Sequence, residues 1–191
     1  MPAISARSQT TPEPHLALLR GINVGGKNTL PMEALREVFA QTGCTKVSTY
    51  IQSGNVVFMA PTARLKNLSA ELSSKIRSKF GFEVPIILRS ASELHAACRQ
   101  NPFLKAGMPE AALHLMCLKD APTSTAVAQL DVNRSPGDAF VVKGRDIYLH
   151  CPSGLARTKL TNAYFDKALK TTSTVRNWRT VLKLGELLLA L

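Results

Sequence analysis

The order of its apolar segments constrains the fold of this chain more than any other feature. Short apolar or alternating runs are separated by longer segments in which apolar residues recur every three or four positions. The clearest helical stripe comprises Leu65, Leu68, Leu72, Ile76 and Phe80. Gly81 follows it, where a left-handed residue can end a helix. Strands and helices therefore interleave, which predicts an α+β protein.

The first half of the chain predicts the order strand, helix, strand, strand, helix, strand. The expected strands are His15–Arg20, Val47–Ile51, Val56–Met59 and Glu83–Arg89, with one helix after Pro31 and a second along the leucine stripe. Ser53, Gly54 and Asn55 supply hairpin residues between the middle strands. This order is that of a ferredoxin-like α/β plait, an antiparallel sheet with two helices on one face.

The second half predicts the same order without repeating the sequence. The expected elements are strand Ala111–Leu118, helix Thr123–Val132, strands Ala139–Val142 and Ile147–His150, helix Thr158–Leu169 and strand Thr171–Val175. A final helix carries Trp178 and Val181 toward a core. We expect a disordered tail at residues 1–13, a first plait with its connecting helix at 14–102, and a second plait with a C-terminal helix at 103–191.

Composition narrows the class of protein and its expected cellular compartment. Hydrophobic residues make up 45% of 191, enough for a packed core, and no apolar run approaches the length of a membrane span. The polar N-terminal segment lacks the apolar core of a signal peptide. Four separated cysteines without a C-x-x-C pair predict reduced thiols. We expect a cytoplasmic protein without membrane partners.

The charge is strongly and unevenly positive. The chain carries 24 Lys and Arg against 13 Asp and Glu, a net charge of +11. From Lys143 to Lys183 nine basic residues face two acids, a local balance of +7. Arg176, Arg179 and Lys183 follow helical spacing and predict one basic ridge. Such a surface indicates phosphorylated ligands or nucleic acid, although a solvated face that maintains solubility fits equally well.

A cysteine motif offers the most specific chemistry. His150–Thr158 reads HCPSGLART, the spacing of the cysteine-dependent phosphatase loop H-C-x-x-G-x-x-R-[ST]. In that chemistry backbone N–H groups and an arginine bind phosphate while a thiolate attacks phosphorus. Cys151 is the candidate nucleophile and Asp120 the candidate general acid.

The local context fits the phosphatase only in part. A tight turn at Gly144 joins the preceding strand to an antiparallel partner, whereas those enzymes have a parallel sheet. The anion-binding part of the hypothesis needs no cysteine, and we retain Gly154, Arg157 and Lys159 for it, at the expected start of a helix.

A glycine-rich loop is the second candidate anion site. GINVGGKN lacks the spacing of an ATP-binding or dinucleotide loop. An ordinary strand-to-helix turn explains most of its glycines. The remaining hypothesis places an anion among Arg20, Gly25, Gly26, Lys27 and Asn28.

Neither a metal nor a cofactor is expected. The histidines are isolated, and His114 and Cys117 point to opposite faces of a strand, so they cannot share a metal. The acids are scattered singly, which disfavours a two-carboxylate hydrolase.

Four motifs together resemble a bacterial family of unknown function, the domain-of-unknown-function family numbered 1697. They are LLRGINVGG at Leu18–Gly26, YIQSGNVVF at Tyr50–Phe58, NPF at Asn101–Phe103 and TVRNWRTVLKL at Thr174–Leu184. The resemblance runs from about His15 to the C-terminus. It implies two ferredoxin-like plaits and no established reaction.

The resemblance also selects residues around any shared site. The matching positions are Arg20, Asn23, Gly25, Gly26, Lys27, Ser53, Gly54, Asn55, Arg157, Lys159, Arg176, Asn177 and Arg179. Family members commonly carry tyrosine and proline where His150 and Cys151 stand, which weakens the phosphatase hypothesis. Our first hypothesis is a basic groove for a phosphorylated ligand or nucleic acid, clamped by Arg157, Arg176 and Arg179. The alternatives are the Cys151 phosphatase and a protein-interaction module without catalysis.

Overall fold

Two four-stranded antiparallel sheets form the framework of the protein. The structure is a computed structural model, which describes residues 11–191. The chain divides into two compact units. The first unit runs to Glu93 and includes Leu184–Leu191, and the second comprises Leu94–Lys183. The sequence predicts a boundary after residue 102. The compact units instead divide between Glu93 and Leu94, and Leu184–Leu191 at the end of the chain belong to the first unit.

The first unit has the predicted order of elements. They are β1 (Pro12–Leu19), α1 (Met32–Ala40), β2 (Thr45–Tyr50), β3 (Asn55–Pro61), α2 (Leu65–Phe80) and β4 (Ile86–Ser90). The strands lie in the order β2-β3-β1-β4, all neighbours antiparallel. This is the ferredoxin-like arrangement, and it confirms the predicted fold class.

The leucine stripe forms the core of the first unit. Leu68, Leu72 and Ile76 of α2 are buried and belong to one cluster with Phe58 of β3. Gly81 has φ 80° and ends α2 in the left-handed conformation, as the sequence predicts.

The second unit repeats the arrangement. Its plait comprises β5 (Leu113–Leu118), α5 (Ser124–Ala128), β6 (Ala139–Lys143), β7 (Asp146–His150), α6 (Asn162–Leu169) and β8 (Ser173–Asn177). The sheet order β6-β7-β5-β8 matches that of the first unit. Helices α3 (Ala91–Gln100) and α4 (Pro102–Lys105) precede the plait, and α7 (Trp178–Leu189) follows it.

Several element boundaries differ from the prediction. β1 begins at Pro12, inside the segment expected to be a tail, while residues 1–10 lie outside the described residues. β4 begins at Ile86 rather than Glu83. Helix α5 is short because the chain turns after it, where the Asp131 carboxylate accepts a hydrogen bond from the Asn133 N–H at 2.9 Å.

Helix α6 begins four residues later than expected. Thr161 is its N-cap, since its hydroxyl accepts a hydrogen bond from the Tyr164 N–H at 3.2 Å. The preceding residues are held in a turn, in which the Thr158 hydroxyl accepts from the Leu160 N–H at 3.0 Å. Gly154 and Arg157 therefore do not lie at a helix start, and that part of the prediction is wrong.

The predicted basic ridge is also wrong. Arg176 lies on β8 opposite Leu115 of β5, and only Arg179 and Lys183 lie on α7. Pairing with β5 keeps the chain extended through Asn177, whose side chain then caps α7 by accepting from the Thr180 N–H at 2.8 Å. Within residues 11–191 no helix combines the length and apolarity needed to cross a membrane.

Candidate anion-binding site

A pocket of about 590 Å³ lies beside the start of α6. Its lining residues are Arg134, Thr161, Ala163, Tyr164, Lys167 and Ala168. The lining therefore contains two cations, one phenol and one hydroxyl, and it includes no carboxylate. Such a lining attracts anions.

Arg134 is fixed above the ring of Tyr164. Its Nε donates a hydrogen bond of 3.0 Å to the carbonyl oxygen of Lys159. The guanidinium carbon lies 4.1 Å from the centroid of the Tyr164 ring, within the range of a cation–π contact. These two contacts orient the guanidinium plane, and no described residue occupies its terminal nitrogens.

Tyr164 is itself held from two sides. Its hydroxyl oxygen accepts a hydrogen bond of 2.9 Å from the Asp131 N–H. Its ring contacts the edge of buried Phe165 at a centroid distance of 5.0 Å. Lys167 lies three residues further along α6, so both side chains project from the same side of the helix. The core therefore positions the ring, and the ring positions Arg134.

This arrangement suits a phosphate attached to a planar ring. Arginine binds two phosphate oxygens at once through its planar fork, and lysine adds a compact positive charge. A guanidinium plane is also a surface on which a nucleobase stacks. The first-turn N–H groups of α6 add positive potential beside Thr161.

The motif around Gly154 does not form a phosphate cradle. The Gly154 N–H donates to the Cys151 carbonyl at 2.9 Å, and the Arg157 N–H donates to the Gly154 carbonyl at 3.2 Å. These N–H groups are therefore used within the turn. Arg157 is exposed, and Lys159 contributes its backbone carbonyl, which holds Arg134.

Cys151 has the properties of a structural thiol. Its side chain is 1% exposed. Burial, with a smaller contribution from Asp138, raises its pKa to about 11 despite a hydrogen bond with Thr158. The strand before it pairs antiparallel on both sides. A nucleophilic thiolate needs the opposite environment, so the geometry gives the phosphatase hypothesis no support.

The glycine loop of the first unit forms a tight exposed turn. Gly25 and Gly26 have φ of 57° and 73°, and the Lys27 N–H donates to the Val24 carbonyl at 3.1 Å, a type I′ geometry. Asn28 donates its side-chain N–H to the Gly21 carbonyl at 2.9 Å. Lys27 is exposed, while Arg20, which directly follows β1, is half-buried.

The two remaining arginines of the predicted site lie in different surroundings. Arg176 donates from Nη1 to the Thr174 hydroxyl at 2.8 Å and to the Val175 carbonyl at 2.9 Å. Burial lowers its pKa to about 10. Arg179 is exposed in the first turn of α7 and lines a separate pocket. The Arg176 guanidinium is therefore used in hydrogen bonds within β8. Arg179 lines a different pocket from Arg134.

Sequence reasoning did not identify Arg134, Tyr164 or Lys167 as site residues. Arg134 and Tyr164 are separated by thirty positions, and no spacing motif links them. Their association depends on how the 131–138 turn lies against α6, which only tertiary structure shows. Across residues 11–191, no group of three or more His, Cys, Asp and Glu side chains is arranged to hold a metal ion.

Comparison with known proteins supports the fold and the family. The family model described as protein of unknown function (DUF1697) matches residues 13–148. A solved structure, that of conserved bacterial protein SP0830 from Streptococcus pneumoniae, aligns with a TM-score of 0.67 at 24% identity. The alignment covers 93% of this chain and 99% of that one. No curated protein gives a significant match.

Proposed function

Because the chain belongs to the DUF1697 family of proteins of unknown function, which assigns no reaction, we propose from its own geometry that it binds a nucleotide unit. The ligand is either a free nucleotide or one nucleotide of a single strand of nucleic acid. Both sources present the same chemistry, a planar base attached to a phosphate. A single observation carries the proposal, namely the oriented Arg134 guanidinium beside Lys167 in a pocket whose lining has no acid.

In this proposal each side chain has a separate task. The base stacks on the outer face of the Arg134 guanidinium, which Tyr164 supports from below. Lys167 binds the phosphate. The segment from Lys143 to Lys183 carries a balance of +7 and gives the second unit a positive field, which raises the local concentration of anions.

The cellular setting forms part of the same proposal. All four cysteines are free thiols, which suits the reducing cytoplasm. Nucleotides and RNA are abundant there. We therefore place the protein in the cytoplasm.

A ligand series tests the proposed function. Calorimetric titrations would compare 5′-AMP, adenosine, inorganic phosphate and a single-stranded RNA oligonucleotide. We expect 5′-AMP to bind more tightly than either adenosine or phosphate alone, because the pocket recognises both parts. RNA binding tighter than that of 5′-AMP, with a steep salt dependence, identifies the polymer as the ligand, whereas equal affinities identify the free nucleotide. Absence of binding by both 5′-AMP and RNA overturns the proposal.

Matched variants connect the binding to the pocket. Arg134→Ala and Lys167→Ala are each expected to weaken binding by about tenfold or more. Arg99→Ala removes the same charge from an exposed position on α3 in the same unit and is expected to have little effect. If Arg99→Ala weakens binding as much as Arg134→Ala does, the affinity arises from net charge alone and the assigned pocket is wrong.

A further inference from the structure

A second pocket of the second unit adjoins the proposed nucleotide pocket. Its volume is about 420 Å³, within the range of small-molecule sites. Ala168 of α6 lines both pockets, so the two cavities meet at a single methyl group. Every residue of both linings belongs to the second unit. A ligand that occupies the first pocket can therefore extend into the second.

The walls of the adjoining pocket are held together by hydrogen bonds of the fold itself. The Asp120 N–H donates to the Thr171 hydroxyl at 3.1 Å, and the Lys119 N–H donates to the Thr172 carbonyl at 2.8 Å. These two bonds connect the segment after β5 to the segment after α6. The pocket is therefore formed before any ligand arrives, as small-molecule sites usually are.

The lining of the adjoining pocket suits a nucleoside better than a phosphate. Ala121, Pro122 and Ala126 supply apolar surface, while the Gln129 amide supplies both a donor and an acceptor. Asp120 supplies a carboxylate, which only accepts hydrogen bonds. A ribose hydroxyl can donate to this carboxylate, whereas a phosphate is repelled by its charge.

Each pocket also contributes one lysine. Lys167 lines the first pocket and Lys170 the adjoining one, three positions apart at the end of α6. Lys170 has φ of 52°, a left-handed conformation in which glycine is the favoured residue after a helix. A lysine at that position instead brings a positive charge to the pocket. One cation per pocket matches the successive phosphates of a strand better than the single phosphate of a mononucleotide.

We propose that the two pockets together bind two consecutive nucleotides of single-stranded RNA. This inference rests on the proposed function of the first pocket and selects the polymer over the free nucleotide. The first base stacks on Arg134, the linking phosphate lies at Lys167, and the second nucleoside enters the adjoining pocket past Ala168. There Asp120 accepts a hydrogen bond from the ribose 2′-hydroxyl, which distinguishes RNA from DNA.

Two ligands with the same phosphate charge isolate the contribution of the second nucleoside. Adenosine 5′-methylphosphate has one nucleoside and one phosphodiester, whereas the dinucleotide ApA has two nucleosides and one phosphodiester. Calorimetric titration of the intact protein is expected to show about tenfold tighter binding of ApA. Equal affinities overturn this inference and leave the nucleotide proposal standing. Absence of binding by both ligands overturns the nucleotide proposal and this inference with it.

The sugar of the ligand tests the role of Asp120. The deoxyribose dinucleotide dApdA is expected to bind about tenfold more weakly than ApA. Asp120→Ala, at an exposed side chain, is expected to reduce this difference without changing the melting temperature. Equal affinities of the parent protein for ApA and dApdA contradict the assignment of RNA.

A matched pair of variants assigns the second nucleoside to the adjoining pocket. Gln129→Ala is expected to weaken ApA binding about fivefold and to leave adenosine 5′-methylphosphate binding unchanged. The control is Gln41→Ala, because Gln41 is likewise an exposed residue at the C-cap of a helix, α1, and it is expected to have no effect on either ligand. Unchanged ApA binding in Gln129→Ala, or an equal loss in Gln41→Ala, contradicts the assignment to this pocket.

Discussion

The guanidinium of Arg134 lies over the ring of Tyr164, with its central carbon 4.1 Å from the ring centroid. The two residues come from a turn and a helix, and a hydrogen bond from Arg134 to the Lys159 carbonyl fixes their orientation. A free arginine side chain loses substantial conformational entropy when a ligand immobilises it. Because these contacts already orient Arg134, the proposed nucleotide binding would avoid much of that loss.

Both the backbone conformation at position 54 and the close approach of neighbouring side chains require a glycine there. A Cβ atom at Gly54 would lie 2.6 Å from the Cβ of Leu19, and its φ is +74°. Gly21 has nearly the same φ, +75°, and open space around it. We expect Gly21→Ala to lower the free energy of unfolding by about 1–2 kcal/mol and Gly54→Ala by about 2–5 kcal/mol. Urea unfolding measures both, and equal losses would show that the Leu19 contact is unimportant.

Asn23 connects the glycine-rich loop after β1 to the loop between β2 and β3. Its side-chain N–H group donates to the carbonyls of Leu30 at 3.0 Å and Gln52 at 2.9 Å, and its oxygen accepts from the Leu30 N–H at 2.8 Å. Asn23→Ala removes three hydrogen bonds, so we expect a loss of about 3 kcal/mol in unfolding free energy. The control is Asn133→Ala, at an exposed turn. Equal stability of the two variants in urea would argue against this role.

Cys151 is expected to react slowly with alkylating reagents. With a pKa of about 11, only about one molecule in a thousand carries the thiolate at pH 8, and the side chain is nearly inaccessible. Half-buried Cys98 provides an internal reference and is expected to react first. Mass spectrometry after iodoacetamide treatment measures both rates. Preferential modification of Cys151 in the native protein would restore the phosphatase hypothesis.

Two buried histidines predict a loss of stability in acid. Burial lowers the pKa values of His15 and His114 below the ordinary value of 6.5. The unfolded chain therefore takes up protons first as the pH falls, and the stability that is present above pH 6.5 decreases below it. We expect His15→Leu and His114→Leu each to reduce the slope of unfolding free energy against pH between 6.5 and 5. Slopes identical to that of the parent protein would contradict the assignment.

The sequence was sufficient for the framework because the framework depends on local pattern. The stripe from Leu65 to Phe80 and the hairpin at Gly54 specify their elements without reference to distant residues. Arg176 shows where such reasoning fails. Its spacing from Arg179 suits a helix, but pairing with β5 holds it in a strand, and pairing depends on residues sixty positions away.

The candidate site was less predictable for the same reason. The motifs predicted a site at Gly154, Arg157 and the glycine loop. The backbone N–H groups of Gly154, Arg157 and Lys27 donate hydrogen bonds within their own turns, so they are not available to a ligand. Arg134 and Tyr164 have no motif of their own, since a turn against a helix brings them together. Basic composition indicates an excess of positive charge between Lys143 and Lys183, but it does not indicate which cations share a pocket.

The central claim is that a nucleotide binds beside α6, and mapping amide resonances by NMR during a titration with 5′-AMP tests it most directly. The expected result is saturable shifts at Arg134 and at residues 161–168, which disappear in Arg134→Ala. Residues 25–28 of the glycine loop are expected to remain unchanged. Shifts centred on that loop, or no saturable shift around α6, would contradict the account.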